Sequence, residues 1–134
     1  MLLEALIAIL IFSLGVLALV GLQTVSIRQS SEAKYRADAT MLANELIGRM
    51  WVTDRSFATI SANFADGGPE YNAWLARVQS TLPGVADNPP SVQPAASGAA
   101  ADPSTVVTVR VNWKAPNETA NDPVHSVTVL AQIK

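Results

Sequence analysis

Between Ala5 and Ile27 the chain carries 23 consecutive residues without a charge, and nothing else in it constrains the fold so strongly. At about 1.5 Å of rise per residue, a helix of that length reaches roughly 35 Å, enough to cross a hydrocarbon layer of about 30 Å. Fourteen of the 23 are Leu, Ile, Val or Phe. Each contributes about 0.3–0.6 kcal/mol to insertion, so about 4–8 kcal/mol is available before Ser13, Gln23, Thr24 and Ser26 take some back. A helix satisfies its own backbone in lipid. A soluble core fits poorly, because 134 residues can hardly surround so long an apolar helix. A cleaved secretory signal fits poorly too. Its apolar region runs about 7–15 residues, with basic residues before it and a small-residue cleavage site after it. Here nothing basic precedes the run, and helical patterning continues past it.

Glu4 stands at the head of the run, and two readings of it are open. Its carboxylate can face interfacial water and favour the positive end of the helix dipole, worth about 0.3–1 kcal/mol. It can instead pair with a cation inside a packed assembly, since a buried carboxylate without a partner is costly.

From Arg28 to about Val52 the helix is expected to continue. Tyr35, Ala39, Leu42, Leu46 and Met50 recur at spacings of three and four and define one apolar face. Glu32–Arg36, Lys34–Asp38 and Glu45–Arg49 are opposite charges four apart, suited to a solvated face. One long rod with an apolar half and an amphipathic half is implied, and the amphipathic half needs a domain to pack against.

The remaining chain supplies that domain. A short helical turn is expected through Phe57, Ile60 and Phe64. Asp66-Gly67-Gly68-Pro69 is a strong break. Glu70 to Leu82 reads as a second helix with Tyr71, Trp74, Leu75 and Val78 on its core face. Pro83 to Pro103 holds five prolines among many Ala, Ser and Gly residues and reads as a solvated spacer. Ser104 to Lys114 alternates, with Val107, Val109, Val111 and Trp113 on one face and Thr108, Arg110 and Asn112 on the other. Val124 to Ile133 puts His125, Val127, Val129, Ala131 and Ile133 on one face. Ala115 to Pro123 is loop chemistry. These two strands predict an antiparallel hairpin, too small to stand without a helix behind it. The expected fold is α+β: residues 1–27 an apolar helix, 28–53 its amphipathic continuation, and 54–134 a head.

No catalytic constellation is legible. The chain has one histidine and no cysteine, so thiolate sites and a Cys/His zinc cluster are excluded. His125 is read as a surface or packing residue. There is no phosphate-binding glycine loop, no Gly-x-Ser-x-Gly and no calcium-loop spacing. Asn117-Glu118-Thr119 fits a glycosylation acceptor, a match of low specificity. No cofactor is expected. The net charge is −2, and Arg77, Arg110, Lys114 and Lys134 are too few and dispersed to favour nucleic acid.

Met1-Leu-Leu-Glu-Ala-Leu-Ile-Ala-Ile-Leu-Ile-Phe-Ser-Leu-Gly-Val-Leu-Ala-Leu-Val-Gly-Leu-Gln23 resembles the mature N-terminus of type IV pilins and pseudopilins. Within that superfamily it most resembles minor pilins of the type IV pilus modification protein PilV family. It rests on the Leu-Leu-Glu-Ala-Leu start, Ser13-Leu14-Gly15, Val20-Gly21-Leu22-Gln23, Ala33-Lys-Tyr-Arg-Ala-Asp-Ala39, Leu42-Ala-Asn-Glu-Leu46 and Arg49-Met50. It covers about the first 50 residues.

The family is made with a short basic leader ending in glycine, which a dedicated peptidase removes before the new N-terminus is methylated. These residues are read as beginning past that leader. The family glutamate is the fifth mature residue, whereas Glu4 is fourth, so the chain is read as starting one residue into the mature protein. Many pilins also carry a proline in the apolar helix, and this one has none.

The resemblance implies storage in the bacterial inner membrane as a single pass with a periplasmic head. It then implies insertion of the helix into a pilus core, in a complex that primes assembly and caps the tip. Glu4 would pair with the N-terminal amine of a neighbour, and Ala5, Ala8, Gly15, Ala18 and Gly21 would permit close helix approach. The implied partners are other minor pilins and the major pilin, with an adhesin or tip protein as a further candidate. Two other functions fit the same residues: a type II secretion pseudopilin, and a single-pass membrane protein whose head binds a ligand without polymerising.

Overall fold

A computed structural model describes residues 1–99 and 102–134. The fold is α+β, as expected. A long helix α1 (Leu2–Val52) is followed by two short helices, α2 (Phe57–Phe64) and α3 (Pro69–Thr81). Strands β1 (Ser91–Ala99), β2 (Asp102–Trp113) and β3 (His125–Ile133) then form an antiparallel sheet in the order β1-β2-β3. The chain divides into two units, Met1–Lys34 and Tyr35–Lys134.

In the first unit every residue is exposed. Ser13 Oγ donates to Ile9 O at 2.7 Å and Thr24 Oγ1 to Val20 O at 3.1 Å, so these two hydroxyls within the apolar run are satisfied by the helix backbone.

The second unit has its own core. From α1 it takes Ala39, Leu42, Ala43, Leu46, Ile47 and Met50, the predicted stripe widened by Ala43 and Ile47, with Tyr35 packed at its margin. From α2 come Ile60 and Phe64, and from α3 come Tyr71, Trp74 and Val78. Val92, Val107, Val109, Val111, Trp113 and Ile133 complete the core from the sheet. Each element follows local chemistry. Ser56 caps α2, accepting from Thr59 N. Pro69 opens α3 where its missing N–H costs nothing. Gly68 before it lies so close to Asn63 that a Cβ would sit 2.3 Å from the Asn63 carbonyl oxygen.

Polar contacts lock α3 to α1. Trp74 Nε1 donates to Leu42 O at 2.9 Å in the buried interior. Glu45 accepts from Arg49, its predicted partner, at 2.8 Å and from Arg77 of α3 at 2.9 Å. Arg49 also reaches Glu70 at 3.6 Å.

The stretch from Pro83 to Pro103 corrects the expected spacer. Ser91–Ala99 is β1, paired along its length with β2, so the sheet has three strands rather than the two of a hairpin. Ala100 and Ala101, which the same expectation covered, lie outside the described residues. Proline is tolerated in β1 because it is an edge strand, where an absent N–H can face away from the ladder. The preceding turns are fixed by Tyr71 Oη to Pro90 O (2.7 Å), Asn112 Nδ2 to Pro89 O (2.9 Å) and Lys114 N to Pro83 O (3.0 Å).

Candidate functional site

The expected assembly residues all lie on the first turns of α1, in the unit that buries nothing against itself. Successive helical residues turn by about 100°, which puts Glu4, Ala8, Gly15 and Ala18 within an arc of about 80°. Ile11 and Leu22 fall inside the same arc, 64% and 68% exposed. Ala5 and Gly21 lie about 100° to either side of Glu4. Four of the six predicted residues therefore form one stripe headed by the carboxylate, and two stand on its flanks. The spacings of seven and eighteen from Glu4 put Ile11 and Leu22 on this face.

Among the described residues nothing packs against Gly15 or Gly21. A Cβ built at Gly15 or Gly21 would meet no atom within 4 Å. A mid-helix glycine costs up to about 1 kcal/mol relative to alanine, and no contact among the described residues offsets it. Such positions let a second helix approach closely. None of the apolar window is buried within the chain, unlike the core helix of a soluble protein, and the segment is compatible with a membrane anchor.

The head holds a cleft of about 340 Å³ lined by Asp54, Arg55, Ser56, Phe57, Ala96, Ser97, Pro103, Ser104, Thr105 and Lys134. Asp54, the acidic side chain among its described lining residues, is committed to structure. Asp54 accepts from Ser56 N (3.0 Å), Ser56 Oγ (3.0 Å) and Thr59 Oγ1 (2.8 Å). The Ser56 backbone bond and then the Thr59 hydroxyl hold its pKa below the ordinary carboxylate value.

His125 is half-buried. Its ring stacks on Trp113 with centroids 5.7 Å apart, and its Nε2 lies 2.6 Å from Glu118 Oε1. Ala115 N donates to the other oxygen of Glu118 at 2.9 Å. The histidine contact first, with help from Ala115, lowers the Glu118 pKa. This arrangement closes the β2–β3 loop. Among the described residues, no group of three His, Cys, Asp or Glu side chains is placed to hold a metal ion.

No family model, curated protein or solved structure matches this chain. The candidate site therefore stands on its own geometry. It is an extended apolar helix surface with one carboxylate and closely spaced small residues, suited to packing against lipid or other helices.

Proposed function

We propose that this chain is a minor pilin of a type IV pilus, of the PilV kind, whose work is assembly rather than catalysis. The observation that carries the reading is the Glu4–Ala8–Gly15–Ala18 stripe on a helical segment, Met1–Lys34, that is exposed throughout among the described residues. Before assembly the helix sits in the bacterial inner membrane with the head in the periplasm. Lipid and a helix bundle are both apolar, so the transfer needs little hydrophobic work, and close packing with polar pairing selects the bundle. Glu4 meets the N-terminal amine of a neighbouring subunit there. Two unit charges about 4 Å apart gain roughly 4 kcal/mol at an effective dielectric near 20, before desolvation is subtracted. That sets register without holding a filament alone. Other minor pilins and the major pilin are the helix's partners, and an adhesin or tip protein is a candidate partner of the head.

The test is Glu4→Ala as the sole copy. Membrane insertion is unchanged, because the apolar run is intact, and surface pili fall at least several-fold. Normal piliation contradicts the role of Glu4 and is the result that a non-polymerising membrane anchor gives.

A further inference from the structure

The two edges of the sheet differ. Val92 N donates to Asp66 Oδ1 at 2.6 Å rather than to β2. Even-numbered residues of β1 therefore turn their backbone groups outward and odd-numbered ones towards β2. Pro94 shares the outward parity and has no N–H to offer. The β1 edge is thus capped by a carboxylate at Val92 and interrupted by a proline two residues on.

The same parity carries across the sheet. Ser91 is opposite Arg110, and Arg110 is opposite Thr128. Even-numbered residues of β2 face β1, consistent with Lys114 N donating to Pro83 O on that side. Odd-numbered residues face β3, so Val109 and Val129 form a hydrogen-bonded pair. Ser126, Thr128, Leu130 and Gln132 then turn their N–H and C=O groups to the far side of β3. Among the described residues no strand lies beyond it. From His125 to Ile133 there is no proline and no Lys, Arg, Asp or Glu, so the prolines and charges that often blunt an edge are absent there. Leu130 stands beside this edge, 68% exposed.

We propose that the outer edge of β3 docks an extended strand from a different protein chain, which joins the sheet as a fourth strand. A row of alternating donors and acceptors at strand spacing is matched by another extended backbone. A second copy is a poor occupant. Its β1 edge is capped by Asp66 and Pro94, and β3-to-β3 pairing is a closed two-fold contact. A filament grows by heterologous contacts instead; this choice of occupant rests on the proposed function, whereas the open edge does not.

The test is amide hydrogen exchange across His125–Ile133 in the full chain, taken from sheared filaments and, separately, purified alone in detergent. Thr128→Pro removes one outward N–H while sparing the β2–β3 ladder, and Thr128→Ala controls for the side chain. The four edge amides are expected to exchange freely in detergent. In filaments they should slow by at least about tenfold, or about 1.4 kcal/mol. Thr128→Pro should lose that protection and Thr128→Ala should keep it. Equal exchange in both states of the unmutated chain overturns the proposal, and needs no variant to fold. Protection in the chain purified alone overturns the choice of occupant in favour of a second copy. A chain missing from filaments in every form is read from fractionation, not exchange; it counts against the proposed function, and the choice of occupant falls with it.

Discussion

Trp74 is the side chain on which the head's grip on α1 most depends. It is 0% exposed, and its indole N–H donates across the α3–α1 contact to Leu42 O at 2.9 Å. Truncation to alanine removes the ring and leaves a cavity, a change that costs about 3–5 kcal/mol in well-packed cores. The hydrogen bond is the smaller part of that cost, about 0.5–1.5 kcal/mol, because Leu42 O also accepts within the α1 ladder and is not orphaned. Trp74→Ala should therefore cost about 4 kcal/mol. Trp74→Phe keeps an aromatic ring, loses the donor, and should cost about 1–2 kcal/mol. For a unit of this size, 1 kcal/mol moves Tm by about 4–8 °C. The alanine variant should then melt about 15–30 °C lower and the phenylalanine variant about 5–15 °C lower. Near-ultraviolet circular dichroism of the full chain in detergent, reporting on Trp51 and Trp113, measures this. A loss of under about 5 °C for Trp74→Ala would refute the claim that this side chain holds α3 to α1.

Two further predictions concern the second unit, Tyr35–Lys134. Gly84 has φ +70°, and a Cβ there would lie 2.7 Å from Lys114 Cβ. Gly84→Ala should cost about 2–4 kcal/mol from left-handed strain and overpacking. Gly48→Ala, with nothing within 4 Å of its Cβ, should stabilise by up to about 1 kcal/mol; thermal melts of the pair check both signs. The acid limb of stability should involve Glu118. Its folded pKa lies below the ordinary value of 4.5, first through His125. Its contribution is therefore present above about pH 4.5 and is lost as pH falls through the folded value. Glu118→Gln should flatten the fall in Tm below pH 4.5; an unchanged acid limb contradicts that assignment.

Periodicity carried much of the fold. The stripe from Ala39 to Met50 and the alternation from Val107 to Trp113 each demand a buried face, and each has one. Strand β1 was illegible for a physical reason. Its Pro, Ala, Ser and Gly residues have little strand propensity, and it forms because β2 offers a ladder and Asp66 caps Val92. A carboxylate 26 residues upstream leaves no local signal. The stripe headed by Glu4 was partly legible. Its small residues stand out in sequence, but Ala5 and Gly21 separate from the others only on a helical projection. The openness of the β3 edge was hidden, because edge parity depends on pairing partners that a single strand does not name.

The most direct test of the assembly reading is fractionation of sheared surface filaments, probed for this chain and for known minor pilins. The reading predicts this chain in the filaments alongside the minor pilins. Confinement to the inner membrane, in a strain shown to make pili, would contradict it and favour a secretion pseudopilin or a non-polymerising anchor.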